Sequence, residues 1–293
     1  TQERVLRELL GLNAGSDFAC QHHFAGIRTV ADFRHQLPIT DYEYYRPYVE
    51  RLKQGEHSAL LGKRNRLRMF TLTSGTTSAA KFIPITRRFL HDYRRGWKTW
   101  GIRAFDDHPR LHVQDIVQLC SDYDQFRTPG GHPCGNISGL VSAMQSPIVK
   151  LMYTVPDSIA KISDPTAKYY AALRLSVANR NVGLVTTANP STLIQFAKLG
   201  HEHREDLIRD IADGTLSPKF DIAAPVRKQL RRKIGRRNRR RARELEDIAT
   251  RTGQLLPLDY WPEMSLVAVW TGGSAGAYLD GLRRYYGSLP VRD

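Results

Sequence analysis

Only three cysteines occur in 293 residues, Cys20, Cys120 and Cys134, far apart and with no CxxC pair, so neither a disulfide framework nor a zinc site is suggested. A reducing, cytoplasmic setting is the expectation. Long hydrophobic runs are missing too: nothing approaches the ~18–20 apolar residues of a membrane span. The amphipathic opening TQERVLRELLGL lacks a signal-peptide core. Internal repeats and a dividing linker are absent, and the length suits one large domain or two small ones with a core that needs no covalent staple.

Acidic residues are absent from one place in particular. The segment from Arg227 to Arg243, RKQLRRKIGRRNRRRAR, holds eleven basic residues and no acidic one. Removing those eleven from the net charge of +15 leaves +4 for everything else. The basic excess is therefore local. Val226, Leu230 and Ile234, then Ala242, Leu245 and Ala249, fall at helical spacing, so one stripe can pack while the arginines face water. A basic arm that binds nucleic acid is the alternative; the recognition elements that usually accompany one are absent, which argues against a nucleic-acid partner.

What is present is an alternation of helical and extended signals. Helices are expected over 1–10 and 41–53, and short strands over 67–73 and 81–85. A long helix follows over 87–105, where Phe89, Tyr93, Trp97, Trp100 and Ala104 recur every three or four positions and make a face expected to be buried. HVQDIVQLC (112–120) reads as a strand, and the loop TPGGHPCGNISG, with four glycines and two prolines, as irregular. Asp164-Pro165 and Asn189-Pro190 each place a capping side chain before a proline at the first helical position, starting helices near 165–180 and 190–199. NVGLVTT is the strand between them. A helix over 201–213, the basic region, the strand SLVAVW (265–270) and a helix over 277–286 complete the pattern, which argues for α/β layers with partly parallel strands.

Two turns carry candidate chemistry. Ser74-Gly75-Thr76-Thr77-Ser78 lies between two extended stretches and runs into Lys81. Glycine admits a ligand close to the backbone, hydroxyls supply donors to phosphate oxygens, and the lysine adds a positive charge. It is not a Walker A loop, because a strand rather than a helix follows; an ordinary serine- and threonine-rich turn remains the alternative. The second turn, Gly272-Gly273-Ser274-Ala275-Gly276, satisfies GxSxG between a strand and a helix. A hydrolase nucleophile elbow needs a histidine after the serine, and the last one here is His203, so a glycine-rich turn that admits a ligand is preferred. His201-Glu202-His203 diverge along a helix and read as polar side chains facing water rather than a metal site. Trp97 and Trp100 read as a core stripe, with an aromatic ligand pocket as the alternative.

The order of these pieces resembles the auxin-responsive acyl-acid amido synthetase family of plants and bacteria, within the acyl-adenylate-forming enzymes. TLTSGTTSAAKFIPIT is similar to its phosphate-loop motif. Similar stretches flank it in order: DYEYYRPYVERLKQGE before, then GHPCGNISGL, VGLVTTANPSTL, LIRDIADGTL and WPEMSLVAVWTGGSAGAYLDGLRRYYGSLPV. The resemblance implies layered mixed β-sheets with flanking helices, as in the large N-terminal domain of those enzymes. It also implies an ATP- and Mg²⁺-dependent ligase: a carboxylate attacks the α-phosphorus of ATP, pyrophosphate leaves, and the amine of an amino acid then displaces AMP. A close variant transfers the acyl group to a thiol, and a non-catalytic family member is a further reading.

Residue by residue, Ser74, Gly75, Thr76 and Thr77 match the loop that holds the phosphates, and Lys81 its closing lysine. Ser78-Ala79-Ala80 replaces a glycine, a basic residue and a proline, so the loop is expected to be stiffer or to hold phosphate less tightly. Thr271, Gly272, Gly273 and Ser274 match the segment beside the adenine and acyl group, while Thr99 and Ser138 fall where the acyl pocket is lined. The acidic Mg²⁺ residue, the ribose aspartate and the mobile C-terminal domain of the family are not found in residues 1–293. Together with Thr1 at the start, this leads to the expectation of an incomplete large N-terminal adenylation domain, with nucleotide contacts and little catalysis on its own.

Overall fold

The computed structural model describes residues 2–73 and 80–293. The expectations placed on Ser74, Gly75, Thr76, Thr77 and Ser78 therefore lie outside the described residues. The chain divides into two compact units, one of residues 1–100 and 122–141, the other of 101–121 and 142–293.

In the first unit, strands β1 (Leu67–Thr73) and β2 (Lys81–Thr86) form an antiparallel pair. They have the predicted bounds to within a residue. Two short strands, β4 (Phe126–Arg127) and β5 (Pro133–Gly135), extend the sheet in the order β2-β1-β5-β4, with β5 parallel to β1. Strand β2 is thus an edge, which is why it tolerates Pro84: the missing N–H is not needed by a neighbour on the open side. Leu67 and Phe70 of β1 pack with Cys134 of β5 and with Val49 and Leu52 from the helix Tyr42–Lys53. That helix begins where Asp41 accepts the backbone N–H groups of Glu43 and Tyr44.

Here the sequence misled twice. TPGGHPCGNISG is not wholly irregular: Pro133–Gly135 is a strand and Ile137–Ala143 a helix. Its glycines serve close approach instead, since a Cβ on Gly130 would meet the Gly55 backbone at 2.6 Å. The helix Arg87–Asp107 exists as predicted, but its aromatic face is only partly covered. Phe89 and Trp97 are 45% and 43% exposed, and the rings run as a ladder from Phe89 through Tyr93 and Trp97 to Trp100 with centroids 5.6–6.3 Å apart. The period was right, and the inference that it had to be buried was not.

The second unit is built on a parallel sheet, β3 (Asp115–Gln118), β6 (Val182–Thr186), β7 (Leu266–Ala268) and β8 (Val291–Arg292), in the order β3-β6-β7-β8. Parallel strands are joined by helical crossovers and buried on both faces, so β6 reads VGLVT with Val182 to Val185 buried throughout. The strand expected over 112–120 is shorter because residues 109–113 form a 3₁₀ turn. Asp164 and Asn189 cap the helices Pro165–Ser176 and Pro190–Glu202 as read from the sequence. The core joins Val185 and Val267 from the sheet to Leu173, Leu193, Phe196 and Trp261. Mixed sheets with flanking helices are thus the α/β arrangement anticipated.

The basic segment folds as two helices, Ala224–Ile234 and Arg239–Thr252. Val226, Leu230, Ile234, Ala242 and Leu245 are buried as the spacing required. Two of its arginines turn inward. Arg227 donates to the carbonyls of Leu216, Ser217 and Phe220, and Arg241 to those of Val177 and Tyr260. Part of the basic run is therefore internal hydrogen bonding, which periodicity cannot reveal.

Candidate functional site

The first candidate site is set by a strand pair. Thr73 of β1 and Lys81 of β2 face each other at the last antiparallel pairing, so the sheet fixes both ends of the segment 74–80. Lys81 sits beside an aromatic ring: its Nζ lies 5.6 Å from the centroid of Tyr42, and the Arg46 guanidinium lies 5.3 Å from the same ring. The Tyr42 hydroxyl reaches the exposed edge of β2, accepting from the Phe82 N–H at 2.9 Å and donating to the Phe82 carbonyl at 3.3 Å. Lys53 approaches the Phe82 ring from its other neighbours, with Nζ 4.1 Å from the centroid. Arg46, hydrogen-bonded to Glu43, holds that carboxyl below the usual range, and Lys81 adds to the effect. A helix residue thus clamps the strand on which the lysine sits. Tyr42 was missed in the sequence, although the run DYEYY placed tyrosines at the start of a helix whose apolar face had to meet the hairpin.

The second candidate site is the turn after β7. Thr271 donates through its backbone N–H and its hydroxyl to one carboxylate oxygen of Asp293, at 3.0 and 3.2 Å. Gly272 is extended, with φ −81°, and Gly273 takes φ +59° at the start of the 3₁₀ turn Gly273–Tyr278. A Cβ on either glycine would meet no atom within 4 Å. Only Gly273 therefore needs glycine for its own conformation. Gly272 has open space where a side chain would stand, a feature it shares with Gly11, Gly96 and Gly253. Trp270, Gly272, Gly273 and Ser274 are all exposed around it. Asp293 was not anticipated; no local motif marks its pairing with Thr271, which follows from the parallel placement of β8 beside β7.

The remaining predicted residues lie on other elements. Thr99 lies exposed on the helix Arg87–Asp107, its hydroxyl donating to the Arg95 carbonyl at 3.1 Å, and Ser138 lies half-buried in the first turn of Ile137–Ala143. His201 accepts from the Leu255 N–H and His203 packs against Tyr170 and Phe220, both structural roles. His57 and His132 place their Nε2 atoms 3.2 Å apart, and burial with the neighbouring His57 pushes the His132 imidazole below its ordinary range. Among the described residues no three His, Cys, Asp or Glu side chains converge on a point where they could hold a metal. No described helix is long and apolar enough to cross a membrane.

Comparison with known proteins agrees with this architecture. The profile of the GH3 family N-terminal domain matches residues 1–291. Among curated proteins, the chain is 25% identical over 299 residues to the putative indole-3-acetic acid-amido synthetase GH3.10 of Oryza sativa subsp. japonica, covering 99% of this chain and 57% of that protein. It is 26% identical to the indole-3-acetic acid-amido synthetase GH3.6 of Arabidopsis thaliana, covering 99% of this chain and 48% of the relative. The jasmonoyl-L-amino acid synthetase JAR4 of Nicotiana attenuata is 23% identical, with 99% and 51% covered. The chain thus spans about half the length of the curated relatives it matches. Among solved structures, the GH3.15 acyl acid amido synthetase superposes with a TM-score of 0.86 at 20% identity, over 99% of this chain and 52% of that one, which shows a shared fold.

Proposed function

The chain belongs to the GH3 family through its N-terminal domain, and from that premise we propose that it binds ATP and serves the adenylation of a carboxylic acid, ahead of amide formation with an amino acid. The observation that carries the reading is the Thr73–Lys81 pairing, which supports Ser74, Gly75, Thr76, Thr77 and Ser78 as the loop that holds the phosphates. Charge builds on the phosphates as the carboxylate oxygen bonds to the α-phosphorus and the bond to pyrophosphate breaks. Donors fixed in advance stabilise that charge without reorganising, and hydroxyls, backbone N–H groups and one lysine are suited to it. Lys81, held beside Tyr42, supplies the positive charge at the end of the loop.

Thr271, Gly272, Gly273 and Ser274 are assigned to the adenine and acyl group, on their match to the family's segment and the exposure of Gly272, Gly273 and Ser274 after β7. Thr99 and Ser138 are assigned to the acyl pocket. The half-exposed ladder Phe89, Tyr93, Trp97, Trp100 on the same helix as Thr99 favours an acid with an aromatic or apolar body. Mg²⁺, when bound with ATP, neutralises phosphate charge; the described residues offer no acidic cluster for it, so no step is assigned through it.

Calorimetric titration of the 293-residue chain with ATP is the test. Binding is expected, and Lys81→Ala weakens it about tenfold, the loss of one charge-assisted hydrogen bond. No binding, or equal binding by the variant with unchanged circular dichroism, refutes the assignment. Amide formation is expected from protein of the relatives' full length and not from this chain alone; turnover by the 293-residue chain would overturn that expectation.

A further inference from the structure

In the first unit, two histidines from separate loops meet ring to ring. His57 opens the 3₁₀ turn His57–Ala59, shortly after the helix Tyr42–Lys53, and His132 lies in the turn between β4 and β5. Their Nε2 atoms stand 3.2 Å apart. The pair can be reached from outside, because His57 is exposed and His132 only half-buried, and His57 also lines a cleft of about 390 Å³. The adenylation chemistry uses neither residue.

The loops that carry them are locked together. The Gly130 N–H donates to the Lys53 carbonyl at 2.9 Å, and a Cβ on Gly130 would strike the Gly55 backbone at 2.6 Å, so the two turns touch main chain to main chain. The His132 carbonyl accepts from the Thr128 N–H at 3.0 Å, and the His132 N–H donates to the Thr128 hydroxyl at 3.2 Å. Phe70 of β1 lies edge-on to the His132 ring. The spacing of the imidazoles is thus set largely by backbone, as a preformed site requires.

Two arrangements compete for such a pair: a plain N–H···N hydrogen bond, or two lone pairs aimed at one ion. A straight hydrogen bond at 3.2 Å would hold the ring centroids roughly 5.6 Å apart, since each nitrogen lies about 1.2 Å from its own centroid. The centroids are 5.0 Å apart, with the rings at 79°. That shortfall agrees with rings tilted toward each other so that the two centroid-to-nitrogen lines meet about 2.1 Å beyond each nitrogen, the length of a zinc–imidazole bond. Two nitrogens bound tetrahedrally to one such ion stand roughly 3.3 Å apart, close to the separation found. We infer that His57 and His132 hold a divalent transition ion of the zinc class through their Nε2 atoms. Water fills its other positions, so the ion is exchangeable, and it ties the end of the helix Tyr42–Lys53 to the β4–β5 turn. Imidazole nitrogen selects such ions over Mg²⁺ and Ca²⁺, which take oxygen. The site is separate from the proposed phosphate loop: Leu67, in the cleft beside His57, begins β1, and the segment 74–80 follows the other end of that strand, about 20 Å away.

Calorimetric titration of the 293-residue chain with ZnCl₂, and separately with NiCl₂, tests this without ATP and so apart from adenylation. One ion per chain should bind saturably, while MgCl₂ and CaCl₂ at the same concentrations should not. His57→Ala, at an exposed position that leaves the fold intact, and His132→Ala should each weaken binding at least about tenfold. Cys20→Ser and His91→Ala, at exposed positions on other elements, should leave it unchanged. Electron paramagnetic resonance of the Cu²⁺-loaded chain should report two imidazole nitrogens, and one in His57→Ala. No saturable binding of Zn²⁺ or Ni²⁺, binding that either histidine variant retains in full, or Mg²⁺ bound as tightly as Zn²⁺ would each overturn the inference and leave the pair as a hydrogen bond.

Discussion

Replacing Tyr42 by phenylalanine isolates one hydroxyl. That hydroxyl accepts the Phe82 N–H at 2.9 Å and donates to the Phe82 carbonyl at 3.3 Å, on the edge of β2 one residue beyond Lys81. A hydrogen bond contributes a net ~0.5–1.5 kcal/mol. The longer of the two is worth less, and water can reach a half-buried edge, so the summed loss should be about 1 kcal/mol. The ring itself remains, and with it the contact to Lys81. Hydrogen exchange read on the peptide covering 81–86 should therefore accelerate about fivefold in Tyr42→Phe, since 1 kcal/mol against an RT of about 0.59 is a factor near five. Tyr42→Ala, which also removes the ring, should accelerate it further and lower ATP affinity, because Lys81 loses its neighbour. Exchange unchanged in Tyr42→Phe would mean that the hairpin is held by β1 alone and that the helix residue positions nothing.

Other outcomes follow from single residues. Gly272→Ala should leave stability within about 0.5 kcal/mol, since φ is −81° and the new Cβ meets nothing, yet weaken ATP binding if a ligand lies on that backbone; thermal denaturation and titration of the same variant separate the two. Gly273→Ala should cost ~1–2 kcal/mol by chemical denaturation through its left-handed φ of +59° alone. Arg241→Ala leaves the buried carbonyls of Val177 and Tyr260 without a donor and should destabilise by ~3–5 kcal/mol, whereas Arg240→Ala, exposed on the same helix, should cost almost nothing. Asp206 is held below the ordinary carboxylate range by Lys219 first and Arg209 second. A depressed folded-state pKa contributes stability that is present above the unfolded value near 3.9 and lost as pH falls through the folded one, so Lys219→Ala should move the midpoint of acid unfolding to higher pH.

The sequence made local order legible and left long-range pairing obscure, and the boundary between them is physical. Period and caps placed the helices Tyr42–Lys53 and Pro165–Ser176 and strand β1 to within a residue or a few, because those signals act between neighbours in the chain. Strand β5 escaped because three residues rich in glycine and proline carry no period; it exists because β1 offers it a parallel edge. Arg241 escaped for the same reason, its partners at Val177 and Tyr260 being set by packing. The aromatic stripe of Arg87–Asp107 is the instructive error. Periodicity reports that one face differs from the others; it does not say what that face will meet.

That distinction bears on the site. A buried stripe and a stripe reserved for a ligand share one sequence pattern, and burial is what separates them. Leu90 and Ala104, on the same helix, are 3% and 0% exposed, so the helix does pack where packing is needed. Phe89 and Trp97 remain nearly half open although they belong to a contiguous ladder of rings whose exposure carries a hydration cost. Surplus apolar surface is unfavourable for a chain that only has to fold, and the acyl pocket proposed for this helix would account for it.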